Sequence, residues 1–370
     1  MKRLDEIKGL DNQAMEEARG RWGQIAKPLH SMGLLEDYVI RLAGITGSAR
    51  ICLEKRAVVV MCGDHGVVAE GVTQSGSEIT GIVARAMAQG DGNINNLAQV
   101  YHADVFPVDM GIASELSESE KCSSLKSSRH ILDRKVAFGT ENIAHGPAMT
   151  YAQAEQALIA AMDIVRDLHM QGYGIIITGE MGIGNTTPSS AIAALLLNEE
   201  PERVTGRGAG LDSEGLRRKI EVVRQAITVN IPDSGRHCFG EKLTRQMAME
   251  LLPKLGGYDI AGMTGLYLGG AIYGVPVVMD GVISAVAAAL AIGICPEVRE
   301  YILCSHVSKE PAGKLLLQYL DMTPLITAKM CLGEGTGGIM LLPMLDGALA
   351  MYHSVHSFDN LKIPGYEELL

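Results

Sequence analysis

Short apolar runs rich in β-branched residues alternate along this chain with longer stretches in which apolar positions recur every three or four residues. The run "AVVVMCGDHG" (57–66) reads as a strand that breaks at polar residues, and the pattern after it predicts a helix over about 77–100. "ADVFPVDMG" (103–111) predicts a second strand, and "GYGIIITGEMGIGN" (172–185) a third, after a helix that starts near Thr150. "GVPVVMDG" (274–281) and "EYILCSH" (300–306) predict two later strands, each beside an Ala- or Leu-rich helix. Strands apolar on both faces and separated by helices imply a parallel sheet with crossover helices. The predicted fold class is therefore α/β, Rossmann-like. The first 50 residues and the stretch after Gly338 are helical in pattern. Residues 1–50 with 339–370 are expected to form a small all-α domain beside a large catalytic domain, 51–338.

Ligands of open α/β sheets bind beyond the carboxyl ends of the strands. Four predicted strands end there in polar, glycine-rich turns: "GDHG", "TGEMGIGNTT", "MDG" and "CSHVSKE". The second has the spacing Gly179-x-x-x-x-Gly184 of a triphosphate-binding loop, yet Asn185 and Thr186 stand where such a loop carries its lysine and hydroxyl residue. Its glycines run into a helix beginning near Thr186, whose unpaired N–H groups and dipole favour an anion. Without the lysine the loop suits a single phosphate monoester, and Glu180 within it adds a carboxylate. A plain strand–helix turn is the alternative.

A substitute cation is expected from "GRGAGLDSEGLRRKIEVVRQAI" (206–227), a glycine turn with Asp212 as N-cap of an amphipathic helix. Lys219 falls inside the apolar arc formed by Leu216, Ile220, Val222, Val223, Ala226 and Ile227. Its ammonium either snorkels to water or meets a phosphate as a point charge. Glu334 in "LGEGTGG" (332–338) lies among glycines that let a planar substrate approach. In a partly dry cleft its carboxylate would take a proton near neutrality.

Composition narrows the classes. The chain has 370 residues, 47% hydrophobic, with 32 Lys+Arg against 43 Asp+Glu and a formal net charge of −11. So acidic a chain lacks the clustered cations that nucleic-acid backbones require. Cysteines 52, 62, 122, 238, 295, 304 and 331 are scattered without a C-x-x-C pair, and are expected to be mostly buried free thiols of a reducing compartment. The amino-terminal residues show no signal-peptide core, and "GVISAVAAALAIGIC" (281–295) is too short to span a bilayer. A cytoplasmic protein without membrane partners is expected. His65 and His306 are expected to be hydrogen-bonded structural histidines, and no metal or cofactor is expected.

The segments "GDHGVVAEGV", "GTENIAHGPAMT", "GEMGIGNTTPSSA", "GGYDIAGMTG", "MDGVISAVAAAL", "SHVSKEPAG" and "LGEGTGG", in this order, resemble the nicotinate-nucleotide–dimethylbenzimidazole phosphoribosyltransferase family from about residue 20 to 360. The resemblance implies transfer of 5-phosphoribose from nicotinate mononucleotide to an aromatic base, giving an α-riboside 5′-phosphate for cobalamin synthesis. By the same resemblance Glu334 is the general base, Glu180 a site acid and Lys219 the phosphate-side lysine. Gly182, Asn185 and Thr186 match the nucleotide loop, Gly208 and Ala209 the second phosphate turn, and Ser308 a position at the nucleotide. Ser75, Leu332 and Gly333 match the base pocket.

The family fold is a parallel α/β domain with a small helical domain from both termini, commonly a homodimer. Gly76 stands where the family commonly has proline, and Val83 where better-known members have a glutamine near the base. Some relatives activate phenols as two unlike subunits, so a phenolic acceptor in a heterodimer is the alternative expectation. A triphosphatase and a regulatory subunit are the competing classes. The missing lysine weighs against the first, and the presence of Glu180, Lys219 and Glu334 against the second.

Overall fold

The computed structural model describes residues 2–125, 129–232, 239 and 242–366. Among them seven strands form one parallel sheet: β1 Arg56–Gly63, β2 Ala103–Gly111, β3 Lys121–Cys122, β4 Ile131–Asp133, β5 Ile175–Met181, β6 Val277–Met279 and β7 Ile302–Cys304. Their order is β3-β4-β2-β1-β5-β6-β7, so the chain fills one side of β1 first, with β4 returning to lie between β2 and β3, and then builds outward on the other. The switch point lies between β1 and β5, where an α/β sheet opens its ligand crevice. Strands β3 and β4, of two and three residues, were not expected. Runs so short carry no period that a sequence could display.

The helices in chain order begin with α1 Asn12–Gln24, α2 Leu34–Thr46, α3 Glu78–Gln89, α4 Asn93–Val100 and α5 Tyr151–Met170. Next come α6 Thr186–Leu197, α7 Pro201–Val204, α8 Ser213–Asn230, α9 Arg245–Leu255 and α10 Tyr258–Tyr273. The last are α11 Val282–Ile294, α12 Ala312–Tyr319, α13 Thr336–Ile339, α14 Leu342–Tyr352 and α15 Phe358–Leu361. The single helix expected over 77–100 is two. Gly90 takes φ 93°, where its N–H closes α3 on Ala86 and Met87 carbonyls, and the chain turns before α4. A residue without Cβ adopts that left-handed conformation at little cost. Other boundaries follow their side-chain caps. Thr150 accepts from Gln153 N at 3.2 Å to start α5, and Asp212 Oδ1 accepts from Gly215 N at 2.7 Å to start α8.

Alternation along β1 divides the core. Ala57, Val59 and Met61 pack into the larger cluster with α5, α9, α10 and α11. Val58, Val60 and Cys62 pack into a second cluster with α3, α4 and the helices of both termini. In that cluster Trp22 of α1 meets Tyr352 of α14 at 5.2 Å between ring centroids, and Arg21 Nε donates to Tyr352 O at 2.6 Å. The terminal helices thus share one core with the sheet. The apolar 281–295 run forms α11, almost wholly buried, and among the described residues no helix is long and apolar enough to cross a membrane. Cys62, Cys295 and Cys304 are buried and Cys122 is half-buried. The expectation of buried thiols fails at Cys52 and Cys331, both exposed, and Cys238 lies outside the described residues.

Candidate active site

Strand β5 carries Glu180 to the carboxyl edge of the sheet and then turns through Gly182 and Gly184 into α6. A Cβ on Gly182 would lie 2.3 Å from Gly63 O, so the loop and the end of β1 touch backbone to backbone. Asn185 Nδ2 donates to Glu180 Oε2 and, at 3.1 Å, to Asp259 Oδ2. Asp259, fully buried at the start of α10, also lies 3.0 Å from His65 Nε2. Burial pushes the Glu180 carboxyl up to about 8, the nearby Asp259 charge adds to this, and the Asn185 hydrogen bond opposes it. A carboxyl so raised is poised to hold a proton near neutrality.

Lys219 does not snorkel. It is 1% exposed, and its Nζ donates to Thr186 Oγ1 at 2.6 Å at the amino end of α6. The second glycine turn closes on the same point: a Cβ on Gly208 would lie 3.3 Å from Lys219 Nζ. Burial lowers the ammonium to about 8, and the Glu310 carboxylate opposes the shift. A buried ammonium held by one hydroxyl is costly unless an anion joins it.

Glu334 sits on a turn in which Gly333, Glu334 and Gly335 all have positive φ, at 90°, 61° and 84°. Its carboxylate is buried, with Oε2 3.3 Å from Ile94 N and Oε1 3.5 Å from Asn93 Nδ2 at the amino end of α4. Burial raises the carboxyl above the ordinary glutamate value, and the Asn93 and Ile94 contacts restrain the rise. Such a group is a base poised toward neutrality.

One cavity of about 330 Å³ collects these groups. Glu180, Lys219 and Glu334 line it, as do Gly182, Asn185 and Thr186. So do Gly208, Ala209, Ser308, Leu332 and Gly333. Ser75 and Val83 are not brought to it. Val72, Thr73 and Gln74 line the wall from that segment, while Val83 turns inward from α3 to pack on the second core cluster. Sequence reasoning missed Met181, Asp280, Glu310, Met330 and Cys331, which also line the cavity. Asp280 lies in the "MDG" turn already marked as a strand end, so a signal for it existed. Met330 and Cys331 carried none. His65 is buried with Nε2 3.0 Å from Asp259 Oδ1, and His306, with Nδ1 3.1 Å from Ser305 Oγ, also faces the cavity under Gly337.

The profile of a family described as "Phosphoribosyltransferase" matches residues 7–363. A nicotinate-nucleotide–dimethylbenzimidazole phosphoribosyltransferase of Ruminiclostridium cellulolyticum is 39% identical over 366 residues, 99% of this chain and 98% of that protein. One of the same name from Clostridium acetobutylicum is 38% identical over 98% of this chain and 97% of its own. The crystal structure of CobT from Thermus thermophilus superposes with a TM-score of 0.84 at 35% identity, covering 95% of this chain and 99% of that one. With whole-length likeness in both sequence and fold, the chain belongs to the nicotinate-nucleotide–dimethylbenzimidazole phosphoribosyltransferase family.

Proposed function

We propose that this enzyme transfers 5-phosphoribose from nicotinate mononucleotide to dimethylbenzimidazole. The observation that carries the reading is one cavity holding both a buried, anion-seeking ammonium, Lys219, and a buried carboxylate base, Glu334. The phosphate monoester of the donor meets Lys219, Thr186 and the Gly208–Ala209 turn, with Ser308 at the nucleotide. Glu180, Gly182 and Asn185 border the ribose. The acceptor base lies against Leu332, Gly333 and the apolar Met181 and Met330 side chains.

The chemistry follows from the charges. Nicotinate bonded to ribose is already a pyridinium cation, so it leaves with its bonding electrons and needs no protonation. One ring nitrogen of the acceptor supplies the electron pair for the new bond to C1′, on the face opposite the leaving group, which gives the α-riboside. The proton on the other nitrogen passes to Glu334. Carboxylates around the cavity favour the positive charge that develops on the ribose ring.

The phenolic acceptor is not favoured: the relatives carry the dimethylbenzimidazole name, and Val83, on which that alternative rested, is absent from the cavity wall. The test is incubation with nicotinate mononucleotide and a panel of benzimidazoles, with p-cresol as control, and identification of products by mass. The expected product is dimethylbenzimidazole riboside phosphate with equimolar nicotinate, and release of nicotinate without any new riboside would refute the reading. Glu334→Gln is expected to lower kcat by about 10²–10⁴-fold while nicotinate mononucleotide still binds.

We also infer a domain division, an assembly and a compartment. Residues 1–50 with 339–370 act as a helical unit beside 51–338, supported by the α1–α14 contacts. The protein works as a homodimer, in which exposed Ile82, Phe138 and Leu332 are apolar surface for a second copy to cover. Unpaired, exposed Cys52 and Cys331 fit the reducing cytoplasm.

A further inference from the structure

Three consecutive residues with positive φ make an unusual turn, and only two of them are glycines. The central one, Glu334, takes φ 61°, a left-handed conformation uncommon for a residue other than glycine, and it does so while buried at the cavity wall. Its own two hydrogen bonds, at 3.3 and 3.5 Å, hold the side chain and not the backbone path. The stronger restraints act on the backbone around it. Asp280 Oδ1 accepts from Gly338 N at 2.7 Å and Oδ2 from Gly335 N at 3.3 Å. Thr336 closes the other side, with N and Oγ1 donating to Gly333 O at 2.9 and 2.7 Å.

Asp280 ends β6, is 4% exposed, and spends both carboxylate oxygens on this turn. A buried carboxylate is costly unless hydrogen-bonded, so its retention here calls for a use. We propose that Asp280 is the positioning residue of the general base: its carboxylate holds the 333–338 turn in the left-handed path that sets Glu334 at the cavity wall. The inference rests on Glu334 being the base. An asparagine in its place keeps one acceptor and turns an amide donor toward the second N–H, so one of the two bonds is lost.

Glu334 is faced by Asp280 from the end of β6, Glu180 from the end of β5, and the Asn93 amide and Ile94 N–H of α4. His306, after β7, faces Asp280. Removing the Asp280 charge makes Glu334 easier to ionise.

The test uses Asp280→Asn in the full-length protein, with Glu334→Gln beside it. Amide exchange in the free proteins is expected to be slow at Gly335 and Gly338 in wild type and Glu334→Gln, and at least about tenfold faster in Asp280→Asn. With nicotinate mononucleotide and dimethylbenzimidazole, Asp280→Asn is expected to lose about 10²-fold in kcat, as a base displaced by an ångström would. Its KM for the nucleotide should stay within about threefold of wild type, the signature of a lost transition-state interaction. The acid limb of its kcat/KM profile should move to lower pH, because the Asp280 charge that raises Glu334 is gone. Unchanged exchange at Gly335 and Gly338, or wild-type kcat, overturns the proposal. A fully active Glu334→Gln would instead overturn the base assignment and leave the exchange measurement to decide the clamp. If Asp280→Asn does not fold, Thr336→Val loosens the turn from its other end, and the same fall in kcat at steady KM is expected; wild-type kcat there overturns the proposal.

Discussion

At the residue scale, Lys219 shows how one side chain trades stability for binding. Its ammonium is buried against a single hydroxyl and lowered to about 8, whereas an unfolded lysine keeps its proton to about 10.4. The folded state therefore binds fewer protons between those values, and stability of the free protein should rise as pH climbs through that window. Phosphate binding runs the other way. The charge is present below about 8 and lost above it, so affinity for nicotinate mononucleotide should fall between pH 7 and pH 9. Lys219→Met is expected to raise the melting temperature and to weaken nucleotide binding by about 1.5–3 kcal/mol, the worth of a hydrogen bond to a charged group. Calorimetric titration at both pH values checks this. A variant that binds the nucleotide as tightly as wild type would remove Lys219 from the phosphate site.

At the element scale, close backbone approach positions the site from behind. Helix α10, which carries Asp259 at its start, lies against α5 through glycines. A Cβ on Gly265 would meet Leu158 O at 2.6 Å, and one on Gly269 would meet Val165 Cβ at 2.9 Å. Gly269 lies toward the carboxyl end of the helix, remote from Asp259. Gly269→Ala forces the pair apart and is expected to cost about 1–3 kcal/mol, read as a lower urea midpoint at unchanged slope. Catalysis per folded molecule should stay the same, and a loss of kcat would mean that the α5–α10 contact also sets the Asp259–Asn185–Glu180 chain. The break between α3 and α4 belongs to this scale too. A continuous helix over 77–100 would not bring an amino terminus to the Glu334 carboxylate.

At the scale of the whole molecule, the terminal helices and the sheet share a core, with Leu42 and Leu345 in the same cluster as Val60 and Ile177. The chain has a single tryptophan, Trp22, buried where α1 meets α14. Its fluorescence therefore reports on the terminal helices, while far-ultraviolet circular dichroism reports on all of the secondary structure. The shared core predicts coincident urea transitions for the two probes. A separate, earlier fluorescence transition would show that residues 1–50 and 339–370 unfold as an independent domain.

The long strands, the helices with side-chain caps and the α/β class were legible in the sequence, because burial on both faces leaves apolar runs and caps leave Thr150 and Asp212 at fixed offsets. Glycine-flanked Glu180 and Glu334 were legible as candidates for the same reason: chemistry at a strand end needs little side-chain bulk around it. The inward position of Lys219 could be read from helical period, since it alone was charged within an apolar arc. Tertiary structure decided what no local pattern encodes. The short strands β3 and β4 exist only because β4 pairs with β2 and β3 with β4. Met330 and Cys331 reach the cavity because the chain folds back over it, and Val83 leaves it because the pitch of α3 turns that side chain to the core. Asp280 gains its part from hydrogen bonds to a turn 55 and 58 residues away, a distance that only the completed sheet closes.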